Sequence, residues 1–70
     1  MKYVRIDRIK LTTELARRDM TQKQLAELTG VSRATINYVK NGKRCTDEIG
    51  GKIAQALGVD LKELIESQEV

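Results

Sequence analysis

An all-α fold, a compact bundle of five short helices with no sheet, is predicted by three features of this sequence. Proline is absent and the aromatics are two tyrosines, while Leu, Ile, Ala, Glu, Gln and Lys supply much of the rest, a composition that favours helix over strand. Apolar residues recur at three- and four-residue spacing, as in Ile49, Ile53, Ala54 and Leu57, the period of a helix with one buried face. Helix start and stop signals also divide the chain repeatedly, with no low-complexity tract or linker between them. A chain of 70 residues buries only about 60% of its unfolded surface. One domain over residues 1–70, with a core over about 6–65, is therefore expected, and there is no room for a large enzyme.

The elements follow in order. Tyr3-Val4-Arg5-Ile6 alternates weakly and is too short to stand as an independent strand, so it reads as extended,. The first helix is capped by Asp7 and runs to about Arg18, with Ile9, Leu11 and Leu15 as its apolar residues,. Thr21-Gln22-Lys23-Gln24 fits a capping box and opens a second helix over about Gln22 to Thr29, ended by Gly30,. Ser32 caps a third helix that carries Ile36 and Val39 inward and stops at Asn41-Gly42,. Thr46 or Asp47 caps a fourth, closed by Gly58, and Asp60 with Glu63 starts a short fifth with Leu61, Leu64 and Ile65 on one face,. The tail from Glu66 to Val70 is expected to fray. Gly50-Gly51 inside the fourth helix costs about 1 kcal/mol per residue relative to alanine. Close approach of another backbone, or a helix that begins only after Gly51, would account for it.

Composition narrows the function. Histidine is absent and Cys45 is the only cysteine, which excludes an intrachain disulfide and removes the usual zinc ligands and imidazole bases. No metal or organic cofactor is expected, and no enzyme. Cys45 reads as a small buried or half-exposed residue. No membrane span or secretory leader is visible, so the chain is expected to be soluble and cytoplasmic. Charge is divided unequally: residues 1–44 carry eleven basic and four acidic side chains, net +7, and residues 45–70 carry two basic and six acidic, net −4. A polyanion-binding face with an acidic back has this distribution, as does ordinary surface charge kept for solubility. Leu28, Tyr3 and Val4 read either as an apolar self-association patch or as scattered surface hydrophobes.

The junction between the second and third helices carries the most information. Two helices meeting near a right angle need a small residue where their axes approach, one turn residue with positive φ, and an apolar plug after it. Ala26, Gly30 and Val31 have that spacing. Ile36 and Val39 then return to the core, leaving Arg33, Ala34, Asn37 and Tyr38 on the free face of the third helix, flanked by Thr35 and Lys40.

The pattern Thr21-Gln22-x-x-Leu25-Ala26-x-x-x-Gly30-Val31-Ser32-x-x-x-Ile36-x-x-Val39-x-Asn41-Gly42, followed by Ile53-Ala54-x-Ala56-Leu57-Gly58-Val59, resembles the phage repressor and Cro type (Xre family) of helix-turn-helix domain. The resemblance covers about Ile6 to Ile65 and implies a lambda repressor-like fold. It also implies that Arg33, Ala34, Asn37 and Tyr38 face bases in the major groove, that Gln22 touches the DNA backbone, and that Ser32, Thr35, Asn41, Lys43 and Arg44 lie beside phosphates. The side-chain chemistry agrees: Arg pairs with guanine O6 and N7, Asn with adenine N6 and N7, and Ala or a Tyr ring meets a thymine methyl. Free amides at the helix starts near Gln22 and Arg33 suit phosphate.

Several positions depart from the family pattern. Lys40 stands where Glu is common, so the usual ion pair to the first helix is not expected. Thr46 stands where Pro is frequent. Thr29 is polar where the pattern is apolar, and Leu28 is apolar where it is polar, which suggests a shifted second helix or an exposed contact. The function implied is a sequence-specific regulator of transcription, a repressor, binding double-stranded DNA. One short helix reads about four or five base pairs, so a homodimer on a pseudo-palindromic operator is expected. Two other roles remain open on the same fold: the antitoxin of a toxin-antitoxin pair, with a protein partner, and a protein-interaction module without DNA binding.

Overall fold

The computed structural model describes residues 2–66, in the order β1 (Tyr3–Arg5), α1 (Arg8–Arg17), α2 (Gln22–Thr29), α3 (Arg33–Lys40), β2 (Arg44–Thr46), α4 (Asp47–Leu57) and a single 3-10 turn (Leu61–Glu63). The expected tail lies outside the described residues except for Glu66.

The four α-helices start where their caps lie. The Asp7 carboxylate accepts from the Ile9 and Lys10 amides at 2.8 and 3.1 Å. Thr21 and Gln24 form the reciprocal box: the Gln24 amide donates to Thr21 Oγ1 at 3.1 Å and the Thr21 amide to Gln24 Oε1 at 2.9 Å. Ser32 accepts from the Thr35 amide, and Thr46 from the Ile49 amide, so Thr46 rather than Asp47 is the fourth cap. Each bond satisfies an amide that the helix cannot satisfy internally, and losing one such cap costs about 1 kcal/mol.

Two expectations about architecture fail. The fifth helix is only a 3-10 turn, and its expected cap Asp60 makes no side-chain capping bond. The sheet expected to be absent is present: β1 pairs antiparallel with β2, with Tyr3 opposite Thr46, Val4 opposite Cys45 and Arg5 opposite Arg44. On its other side the same opening segment meets the end of the described chain, since Ile6 bridges Ile65 and the Asp7 amide donates to the Leu64 carbonyl at 2.7 Å. Three residues make too short a ladder to hold alone. Partners on both sides and the core beneath stabilise this one.

The core is built from the four α-helices, with Ile6 after β1, Cys45 of β2 and Leu64 after the 3-10 turn closing it: Ile6, Leu11, Leu25, Ile36, Val39 and Ile53 are fully buried, with Leu57 and Leu64 nearly so. Ile9, read as part of the apolar set of α1, is 74% exposed instead; α1 turns Leu11 and Leu15 inward. Val4 is half-buried against the core, while Tyr3 and Leu28 line different clefts. Cys45 is buried beneath the sheet, and burial pushes its thiol pKa up against a smaller opposing effect of the Gly50 backbone.

The two adjacent glycines of α4 have different reasons. Because the helix begins at Asp47, a late start is excluded. A Cβ at Gly50 would stand 3.1 Å from both Leu61 Cδ1 and Val4 Cγ2, whereas one at Gly51 would meet nothing within 4 Å. Gly50 is thus where the β-strand and the 3-10 turn close on α4, with side chains rather than a backbone making the approach.

Candidate nucleic-acid interface

The α2–α3 junction is built as its spacing demands. Ala26 is buried, Gly30 takes φ +74°, and its amide donates to the Ala26 carbonyl at 2.9 Å. Thr29, polar where an apolar residue was expected, is satisfied within the junction: its hydroxyl donates to the Leu25 carbonyl at 2.8 Å and accepts the Val31 amide at 3.1 Å. The hydroxyl stitches the end of α2 to the turn, so α2 is not shifted, and Leu28 is simply exposed.

Sealing Ile36 and Val39 at 0% exposure turns the rest of α3 outward. Arg33, Ala34, Asn37 and Tyr38 are all exposed, as expected for its free face, and Tyr38 does not fold back over the core. Arg33, Ala34 and Asn37 share a shallow cleft with Gln22, which brings the start of α2 beside the outward face of α3. Tyr38 lines a second cleft with Gly42, Lys43 and Arg44. Arg33 has no acidic partner among the described residues, where the ion pairs are Arg17 and Arg18 with Glu14, and Arg5 with Glu66. Asn41 is exposed at the C-terminus of α3 but lines neither cleft.

Two of the expected phosphate neighbours are already engaged with each other. Ser32 Oγ accepts the Thr35 amide at 3.1 Å and donates its own proton to Thr35 Oγ1 at 2.9 Å. Only the Thr35 hydroxyl proton is left to donate outward, so the pair offers one donor rather than two.

Lys40 has a contact that sequence reasoning missed. Its Nζ donates to Gln22 Oε1 at 3.3 Å, joining the last turn of α3 to the first turn of α2. An ammonium has only donors, so the Gln22 amide must face it with oxygen and leave its NH2 toward solvent. The replacement of an expected Glu by Lys was the visible signal, but it did not identify the partner eighteen positions away.

With these elements in place, a family model described as helix-turn-helix matches residues 10–64. The chain belongs to the repressor/Cro type of helix-turn-helix family. The helix-turn-helix chain is similar throughout its length to the transcriptional regulator VanUg in crystal form II, with 26% identity, a TM-score of 0.78, and coverage of 100% of this chain and 93% of that one. The same helix-turn-helix fold recurs in a hydroxyethylphosphonate dioxygenase (Y98F mutant), with 24% identity and a TM-score of 0.80, and in native PhpD with cadmium atoms, with 24% identity and a TM-score of 0.79. In both cases the match covers 94% of this chain but only 14% of the other. The chain thus spans about one seventh of those proteins, and at this identity the likeness is one of fold. No curated protein matches at a significant level.

Proposed function

We propose that this chain is a single-domain, sequence-specific double-stranded DNA-binding regulator of transcription that acts as a repressor. In this reading α3 enters the major groove. Arg33, Ala34, Asn37 and Tyr38 meet base edges, while Gln22, Ser32, Thr35, Asn41, Lys43 and Arg44 lie along the backbone. The observation that carries the reading is the division of α3, with Ile36 and Val39 wholly buried and its groove-reading residue types wholly on the exposed side. Membership in the helix-turn-helix family and the similarity to a transcriptional regulator support it.

An α3 of eight residues reaches too few bases to single out a site in a genome. A homodimer on an inverted repeat with half-sites ~10 base pairs apart supplies the rest. The operator would be met in the cytoplasm; among the described residues no helix is long and apolar enough to cross a membrane.

The test is selection of bound duplexes from a random pool at ~150 mM salt, where purely electrostatic binding is suppressed. An enriched inverted repeat is expected. If the folded chain enriches no sequence, DNA readout by α3 is refuted, and a protein-binding role on the same fold takes its place.

A further inference from the structure

The β-hairpin places two residues of the N-terminal segment beside the basic loop. Arg5 sits directly opposite Arg44 in the ladder, and cross-strand partners hold their Cβ atoms about 5 Å apart. Alternation turns Val4 and Cys45 toward the core, leaving Tyr3, Arg5 and Arg44 exposed on the other face,. These three, with Tyr38, Gly42 and Lys43, line one continuous cleft beyond the C-terminal end of α3.

Like charges directly opposite each other in a ladder repel, and nothing in the described structure neutralises this pair fully. Glu66 approaches Arg5 only at 3.7 Å, with both side chains about half exposed, a pairing that solvent screens. Lys43 adds a third positive charge to the same cleft. Three cations thus line one concave surface together with Tyr3 and Tyr38, and Glu66, which reaches Arg5 from outside, is not among the residues lining it.

We propose that this cleft is a second DNA contact, in which Arg5 of β1 joins Arg44 and Lys43 to clamp a backbone phosphate flanking the base pairs read by α3. The inference rests on the DNA-binding reading above and extends it to a strand that reading does not include. Charge complementarity selects the occupant: an oxygen of a phosphodiester placed between the two guanidiniums converts their repulsion into two attractions. Tyr38 lines this cleft and also stands on the outward face of α3, so a strand leaving the α3 surface runs into the clamp without a gap. Glu66 competes with the phosphate for Arg5.

The experiment compares the full-length chain with Arg5→Gln and Arg5→Lys on the enriched duplex and on a random duplex, each extended several base pairs beyond the site, over a range of salt. Losing one phosphate contact lowers the slope of log K against log salt by about 0.9. Arg5→Gln is therefore expected to lower the slope by about one per protomer, about two for the dimer, and to weaken both duplexes several-fold and equally, with the base preference unchanged. Arg5→Lys should keep the slope, and trimming the duplex to the enriched site should remove the difference between Arg5→Gln and the unaltered chain. Glu66→Gln should bind the extended duplex more tightly. Unfolding midpoints of all variants establish that each is folded. If the unaltered chain binds its site and Arg5→Gln binds with the same affinity and slope, the clamp is refuted while the α3 reading survives. If the unaltered chain binds no duplex, both fall.

Discussion

Substituting alanine at Gly50 and at Gly51 makes the same chemical change at adjacent positions of α4, yet the two should differ in sign. Alanine is favoured over glycine in a helix interior by about 1 kcal/mol. At Gly51 the new methyl meets nothing within 4 Å, so the whole gain should appear, raising the midpoint of thermal unfolding by about 4–8 °C for a domain of this size. At Gly50 the same gain is opposed by two contacts at 3.1 Å, to Leu61 Cδ1 and Val4 Cγ2. Leu61 presents the end of a flexible chain, but Val4 is β-branched and fixed in the ladder opposite Cys45, so it has little rotamer freedom with which to retreat. Overpacking of this kind costs about 1–3 kcal/mol. Gly50→Ala is thus expected to be destabilised by up to about 2 kcal/mol, a net of these two principles. Urea titration followed by circular dichroism at a helix band measures both variants in one assay. Equal stabilisation of the two would show that the β1–α4–turn contact has slack and that Gly50 is not required by packing.

Arg33→Ala should lose about 1–3 kcal/mol on the enriched site and relax the preference at one base, whereas Lys43→Ala should weaken all sequences alike and lower the salt slope by about one per protomer; equal losses on specific and random DNA would overturn the assigned roles. Lys40→Met removes the donor that orients Gln22 and should weaken specific and random duplexes alike by about 1 kcal/mol. With Gln22→Ala in a double-mutant cycle, the combined loss should be smaller than the sum of the single ones, and strict additivity would separate the two residues. Cys45, whose thiol is held neutral by burial, should react with a disulfide reagent only as fast as the chain unfolds. Its folded pKa is raised above the unfolded value, so its contribution to stability is complete below about pH 8.5, the unfolded thiol pKa, and is lost as pH rises through the folded one. A Cys45→Ala chain should lack that alkaline decline.

What the sequence disclosed and what it withheld differ in the distance over which the causes act. Asp7, Thr21, Ser32 and Thr46 each cap through a bond to an amide two or three residues on. Their side chains alone therefore announce the helix starts, as Gly30 announces the turn. The outward face of α3 was legible for a related reason: once Ile36 and Val39 are inside, helical geometry fixes where Arg33, Ala34, Asn37 and Tyr38 point. β1 was not legible because Tyr3 to Arg5 have no local reason to be a strand; their partners lie some forty positions away in β2, and the next residue, Ile6, bridges Ile65, still farther along the chain. The same holds for the Lys40–Gln22 bond. Asp60 shows the reverse error: a residue type that often caps makes no capping bond here, and a 3-10 turn follows rather than a helix.

The unforeseen strand pair bears directly on the proposed interface, because it determines how the basic loop is held. At its start the loop is tied to α3: the Gly42 amide donates to the Val39 carbonyl at 3.0 Å and the Lys43 amide to the Tyr38 carbonyl at 3.3 Å. At its end Arg44 already belongs to β2, paired with Arg5, and Cys45 is anchored beneath the sheet. A loop of exposed lysine and arginine would ordinarily lose backbone and side-chain freedom when it met a phosphate, and that loss subtracts from affinity. Here the backbone is already fixed by bonds on both sides, so only the side chains remain to be ordered. The two-stranded ladder, too small to contribute much to the stability of the fold, therefore matters more as the element that holds Lys43 and Arg44 in a constant position relative to Tyr38 and the face of α3.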